Sequence, residues 1–335
     1  MNWKRILFFA KVLISVSILS YLFYSAWQGG QWEQLRDSPK RWHWLGLGVV
    51  ACLSANLISF YRWQLLVLAL DVPFKLIDAI RIGFIGLFFA LVAFGVVAGD
   101  SLRAFYATRQ VKNRTAEAIT SVLADRLIGL MTMFSIAAVA FLFFDPTELA
   151  ADHPNEIRAL KLVGWFVVAC TACGYAGMAV LFFTPQLSKT TLFQKIIGLP
   201  KVGPIIDKLS GVVLLYRNQL PAIAVAFFLS VLVNLCFITA IYSLAIGLTE
   251  NNPSFADHFV IEPLAMVSNA VPLPGGIGGM ETAMKYLYLA FASTNGVVVG
   301  FAMRFSLLLI HAIGAVVWFL NREQVADIEK QRAAK

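Results

Sequence analysis

Apolar runs of roughly 20 residues, enough to cross a bilayer, recur through this chain at about 6–26, 44–70, 118–144, 161–184, 221–248 and 297–320. That recurrence leaves one architecture open. In hydrocarbon the backbone N–H and C=O groups must be satisfied internally, so continuous apolar runs of this length are spanning helices. Charged residues make up 14% of the 335 residues, against about a quarter in a soluble protein. No stretch is long and polar enough for a soluble domain; the largest gap is a basic loop at about 185–220. The expected fold is an all-α polytopic membrane protein, with residues 1–335 forming one integral-membrane domain. The first run follows Lys4 and Arg5 and has no A-x-A site behind it, so it reads as an uncleaved anchor rather than a signal peptide. Trp3, Trp27, Trp32, Trp42 and Trp44 flank the first two runs as interfacial belts.

Two further segments, about 79–98 and 258–293, are apolar but broken by glycine, proline or charge. The second contains Pro272-Leu-Pro274-Gly275-Gly276-Ile-Gly278-Gly279-Met-Glu281. Backbone of this composition cannot satisfy its own hydrogen bonds and survives at membrane depth only inside protein or beside a water-filled cavity. A carboxylate in such a place is a functional-site candidate.

The charge distribution sets the topology. Loop 99–117 carries Arg103, Arg109, Lys112 and Arg114, and loop 185–220 carries Lys189, Lys195, Lys201, Lys208 and Arg217. Loop 145–160 carries Asp145, Glu148, Asp152 and Glu156, and loop 249–257 carries Glu250 and Asp257. Basic loops belong on the cytoplasmic face. Six spans with cytoplasmic termini satisfy that rule only if 79–98 dips in from the cytoplasm, with Gly95, Gly99 and Asp100 near its turn or exit, and 258–293 dips in from outside, turning at Pro274-Gly275-Gly276. A symmetry emerges from this solution. Span 44–70, dip and span 118–144 are matched by span 221–248, dip and span 297–320 in the opposite orientation. Asn56 and Arg126 are 70 residues apart, as are Asn234 and Arg304, and Gly99-Asp100 and Gly278-Gly279-Met-Glu281 lie between them. The repeats expected are about 44–144 and 221–320. Inverted repeats whose broken helices meet near the midplane build substrate sites in many transporters, and helix N-termini at such breaks favour anions.

Each polar residue has a structural reading beside a functional one. Glu281 pairs with Arg304 or Lys285, caps the helix starting near Met280, or serves a ligand. Arg304, in the middle of an apolar span, pairs with Glu281 or takes a phosphate bidentately. Asp100 and Arg103 sit one turn apart, which permits an i,i+3 pair, while Arg103 near the interface could instead hold a lipid head group. Asp125 and Arg126 point in different directions, so one can pair across the bundle while the other lines a cavity. Arg62 and Glu262 read as interhelical glue, and His311 as a bundle histidine. Cys52, Cys170, Cys173 and Cys236 all lie in apolar spans and read as buried thiols, since no second pair completes Cys170-x-x-Cys173 as a site. The histidines His43, His153, His258 and His311 show no metal spacing. No metal or cofactor is expected, and no nucleic acid. Gly99-Asp100-Ser-Leu spells an esterase signature without the downstream Asp-x-x-His that chemistry needs. Gly275–Gly279 lacks the βαβ context of a dinucleotide loop.

Over about residues 5–322 the chain resembles the lysylphosphatidylglycerol synthase transmembrane-region family, also described as flippase-like. The resemblance is carried by Gly99-Asp100-Ser-Leu-Arg103, by Asp125-Arg126, by Pro272-Leu-Pro-Gly275-Gly276-Ile-Gly278-Gly279-Met-Glu281 and by Arg304. It implies lipid movement between leaflets of a bacterial inner membrane. No aminoacyl-transferase domain follows Asn321, so synthase activity is not expected. The expected function is translocation of an anionic phospholipid or lipid-linked intermediate. Asp100, Arg103, Arg126, Pro274, Gly275, Gly276, Gly278, Glu281 and Arg304 are the candidate substrate site, with Asn56, Asp125 and Asn234 in support. The alternatives are an accessory subunit serving a lipid- or glycan-modifying partner enzyme, and a membrane-embedded lipid transferase in which Asp100 is the candidate carboxylate.

Overall fold

The computed structural model describes residues 3–92, 96–110, 114–143, 154–183, 198, 203–268 and 278–333. Among them are twelve helices and no strand. They are α1 (Trp3–Gln28), α2 (Gln31–Asp37), α3 (Trp42–Leu68), α4 (Leu76–Val92), α5 (Val96–Gln110) and α6 (Thr115–Phe143), then α7 (Pro154–Phe183), α8 (Gly203–Tyr216), α9 (Leu220–Leu248), α10 (His258–Val267), α11 (Gly279–Ala290) and α12 (Gly296–Ala333). Five are long and apolar enough to cross a membrane: α3, α6, the Ile157–Phe183 part of α7, α9, and the Gly296–Leu320 part of α12. The first expected span is helical as α1. Outward-facing Phe143, Phe183, Phe228, Phe305 and Leu320 are exposed, an apolar surface of the kind that membrane contact covers. The chain is a multi-pass membrane protein.

The centre is the antiparallel pair α3 and α9. Small residues let the two backbones approach. A Cβ on Gly48 would lie 2.8 Å from Leu244, and one on Gly247 would lie 2.5 Å from Leu45. Farther along the pair, the Arg62 guanidinium donates to Ser230 Oγ at 2.6 Å. Cys52, Phe60, Ile241, Ile261, Met284 and Met303 form the main core around this axis. Trp63, Leu66, Phe74 and Val122 form a second core at the other end, with Tyr216 of α8, whose hydroxyl donates to the Leu66 carbonyl at 2.8 Å. The expected loop 185–220 is therefore partly helix: α8 is a structural element anchored on the bundle.

Two helical hairpins flank the axis. Helices α4 and α5 have 17 and 15 residues, and α10 and α11 have 10 and 12, all below the roughly 20 a full crossing needs. In the first hairpin the two helices touch at glycine, where a Cβ on Gly99 would lie 2.4 Å from the Gly86 carbonyl oxygen. Arg114, just past this hairpin, donates to the Leu70 carbonyl just before it at 2.8 Å. The second hairpin closes in the same way: Asn295 donates to the Glu250 carbonyl at 2.5 Å. In each hairpin the residues just before and just after it are thus held within hydrogen-bond distance of each other. The expected turn residues Gly95, Pro272, Pro274, Gly275 and Gly276 lie outside the described residues. Packing is reciprocal, with α12 against α4 and α6 against α10.

The glycine contacts give a stability prediction. Gly99→Ala should destabilise the protein, because the added methyl meets backbone that cannot move aside. Gly46→Ala, where nothing lies within 4 Å, should be neutral or slightly stabilising, since alanine is favoured in helices by about 1 kcal/mol. Thermal unfolding in detergent reads both, and equal melting temperatures would contradict this packing of α4 on α5.

Candidate functional site

Each hairpin carries a carboxylate paired with an arginine on the helix that follows it. Asp100, near the start of α5, accepts both arms of the Arg126 fork from α6: Nε at 2.7 Å and the terminal nitrogen at 2.6 Å. Glu281, in the first turn of α11, accepts from Arg304 of α12, with Nε at 2.6 Å and the terminal nitrogen at 3.3 Å. Bidentate pairs of this kind are the strong class of charged hydrogen bond. Glu281 is fully buried and has a second task. Its Oε2 accepts the Gly278 backbone N–H at 2.9 Å and so caps α11. Gly278 has φ +98°, a left-handed conformation that glycine adopts without strain. The two structural readings of Glu281, pairing and capping, thus coexist. Lys285 is engaged elsewhere, with its ammonium 2.8 Å from Ser25 Oγ.

Behind the Asp100–Arg126 pair lies a second charged layer. Asp125, 1% exposed, accepts from Arg62 Nε at 2.8 Å, and its backbone carbonyl takes a second Arg62 nitrogen at 3.2 Å. Its other carboxylate oxygen faces Arg103 at 3.4 Å. The Arg103 guanidinium carbon lies over the Trp63 ring, 4.4 Å from its centroid, a cation–π arrangement. The space for it exists because α4 carries Gly86 there, where a Cβ would lie 2.7 Å from the Arg103 side chain. Arg103 is buried and is not free at an interface for a head group. Its i,i+3 pair with Asp100 is only a 3.7 Å contact; the main partner of Asp100 is Arg126.

Asn56 and Asn234 each donate to the carbonyl four residues earlier, of Cys52 and Ser230, at 2.8 Å, and so use their amides locally. Arg62 is interhelical glue, as its place in the sequence suggested. The thiols depart from expectation: Cys52 is buried, Cys170 and Cys236 are half-buried, and Cys173 is exposed, because α7 turns most of its surface outward. Sequence reasoning missed Trp63, Ser121, Ser230 and Gly86. Trp63 donates to Ser121 Oγ at 3.2 Å. Among the described residues no cluster of three or more His, Cys, Asp or Glu is placed to hold a metal.

A largely apolar groove of about 670 Å³ opens between α6, α9 and residues 255–260 at the start of α10, where Asp257 also lines it. Thr132, Val139, Phe143, Phe227, Val231 and Phe259 are among its lining residues. Its lower end, Thr132, is seven residues along α6 from Asp125, about 10 Å at 1.5 Å per residue.

No curated protein and no solved structure matches the chain. A family model does, over residues 8–319, and it is described as the lysylphosphatidylglycerol synthase TM region. The chain belongs to the lysylphosphatidylglycerol synthase transmembrane-region family.

Proposed function

We propose that the protein moves an anionic phospholipid, or a lipid-linked phosphate intermediate, between the leaflets of a bacterial inner membrane. The observation that carries this reading is a charge imbalance. Among the described residues, Arg62, Arg103 and Arg126 share two carboxylates, Asp100 and Asp125. Excess positive charge inside a membrane bundle is costly, and an anion relieves it. Arg126 is the accessible member, with its side chain 43% exposed against 6% and 5% for Arg62 and Arg103. A guanidinium fork fits phosphate as it fits carboxylate, so a lipid phosphate can take the place of Asp100 on Arg126. The acyl chains then have the α6–α9 groove, which is apolar and open to the side.

The proposed machine is an inverted repeat of α3–α6 and α9–α12 with two re-entrant hairpins. Its support is reciprocity. The two acid–arginine pairs correspond, each hairpin returns to its own side, and the last helix of each repeat packs on the first hairpin helix of the other. One offset of 178 residues carries Asn56 to Asn234 and Arg126 to Arg304. In this reading Asp100 and Glu281 neutralise their arginines when no lipid is bound and release them in turn on opposite faces. The basic loops and both termini face the cytoplasm.

Mass spectrometry of lipids retained by the purified protein tests the reading. The wild type should hold one phosphate-bearing class above its abundance in the membrane, and Arg126→Ala and Arg304→Ala should lose it. Bulk lipid alone in all three proteins would remove the transport reading and favour an accessory membrane subunit.

A further inference from the structure

One buried acid takes no part in the ion pairs. Glu262, on α10, is 1% exposed, and its Oε2 has no hydrogen-bond partner among the described residues. Asp100, Asp125 and Glu281 each have an arginine nitrogen within 2.8 Å. No salt bridge reaches Glu262 among the described residues. Its titratable surroundings are sparse. Helix α3 brings Cys52, and α9 brings Cys236 and Tyr242. Helix α11 brings Tyr288 and, farther along, Glu281, which is already held by Arg304 of α12. Helix α12 also carries His311, whose Nδ1 is buried without a partner. On the stretch of α6 that meets α10 the polar groups are the hydroxyls of Thr132 and Ser135, and Asp125 is committed to its arginines.

On α10 itself the neighbours are Asp257 and, one turn before Glu262, His258. That imidazole is committed at both nitrogens. Nδ1 lies 2.7 Å from the Ser254 carbonyl, so it donates there, and Nε2 lies 2.8 Å from the Tyr288 hydroxyl. It ties α10 to α11 rather than neutralising Glu262. An ionised carboxylate in this setting would be buried, desolvated and uncompensated, which is the costly state for an acid. The neutral acid carries only the smaller cost of an unpaired polar group. Pro263 follows directly, inside the helix. Lacking an N–H, it cannot bond the Phe259 carbonyl, which weakens the helix at the point where the acid sits.

We propose that Glu262 is a proton-binding site, protonated in this conformation and exchanging its proton when α10 bends at Pro263. Through it a transmembrane pH gradient acts on the second hairpin. The proton site stands by itself; its use in coupling rests on the proposed lipid movement.

Infrared difference spectroscopy of the purified wild type and Glu262→Gln in H₂O and D₂O at neutral pH tests the site without any transport assay. A protonated-carboxyl band that shifts in D₂O, disappears in Glu262→Gln and moves in Glu262→Asp is the expected result. Because glutamine matches the neutral acid in shape, Glu262→Gln should melt no lower than the wild type. Loss of no band in Glu262→Gln overturns the proposal. Coupling is read in proteoliposomes carrying a fluorescent phosphatidylglycerol probe, with and without an imposed pH gradient. The wild type should move the probe severalfold faster with the gradient, and Glu262→Gln should show one rate under both conditions. A wild type indifferent to the gradient overturns the coupling. A wild type that moves no probe at all overturns both the coupling and phosphatidylglycerol as cargo, while the infrared band still decides the proton site.

Discussion

Asp125→Asn is expected to lower stability by about 3–5 kcal/mol, the usual result of removing one partner from a buried ion pair. Asp125 is the sole carboxylate between Arg62 and Arg103, and both guanidinium groups are almost wholly enclosed. The substitution keeps the shape and one acceptor while removing the charge, so Arg62 becomes uncompensated and Arg103 keeps only its 3.7 Å contact with Asp100. Asp100→Asn should behave differently. Its side chain is 19% exposed and its partner Arg126 is 43% exposed, so solvent screening limits the loss to about 1 kcal/mol. Its effect should instead fall on lipid retention. Two acids 25 positions apart in one hairpin–span unit are thus expected to have different jobs: one holds the arginine layer together, and the other pairs with the more exposed arginine.

The same layer offers a control. In the proposed repeat, the 178-residue offset places Ala240 and Met303 where the first half has Arg62 and Asp125. The three-residue gap needed to align the two acids places Met284 where it has Arg103. All three counterparts are fully buried. A triple replacement, Arg62→Ala with Arg103→Met and Asp125→Met, should therefore recover most of what Asp125→Asn loses, because well-packed apolar groups often replace a buried ion network without loss. Thermal unfolding followed by tryptophan fluorescence compares all the variants, and Trp63 beneath Arg103 reports locally. An Asp125→Asn protein that melts with the wild type would mean that the layer does not hold the fold.

Much of this architecture was legible because membranes impose strong rules. Length and hydropathy marked the spans, and loop charge set the expectation that segment 79–98 returns to its own side; Arg114 on the Leu70 carbonyl brings the residues flanking that hairpin together. Glycine followed by an acid marked Asp100 and Glu281, since both features are expensive in hydrocarbon. Pairing was less legible. Sequence proximity suggested Arg103 for Asp100, but a fork needs two nitrogens in one plane, and Arg126 on the neighbouring helix meets that need. Arg62 could be read as glue, but its partner Asp125, 63 positions away, depends on how α3 and α6 are rotated against each other. Neither hydropathy nor spacing encodes that rotation. Trp63 and Gly86 were invisible for the same reason, because an aromatic and a glycine in an apolar helix are ordinary until the arginine between them is seen. Exposure of Cys173 was missed because composition does not say which spanning helix lies at the edge of the bundle.

The second large effect is expected at Glu281. Glu281→Ala should cost stability on two counts, because it removes two interactions at once. The carboxylate holds the Arg304 fork and also accepts the Gly278 N–H that begins α11, and a lost helix cap adds about 0.5–2 kcal/mol to the lost pair. Glu281→Gln separates the two tasks: its amide oxygen can still take the Gly278 N–H, while the charge is gone. It should therefore fold better than Glu281→Ala and yet fail equally in lipid retention and probe movement, if neutralising and releasing Arg304 is the working step. Arg304→Gln combined with Glu281→Gln should fall short of the sum of the two single losses by about 0.5–3 kcal/mol, the range found for directly contacting partners. Gly278→Ala probes the same corner from the backbone. Its Cβ would meet Ile18 of α1 at 3.0 Å in a left-handed conformation, so the cap itself should be strained with both charges left in place. If Gly278→Ala and Glu281→Ala lose stability together while Glu281→Gln and Arg304→Gln move probe at the wild-type rate, the pair is a helix cap with an arginine attached and the transport site lies elsewhere. If the neutral variants fold and stop moving lipid, the charge at this hairpin is part of the transport step.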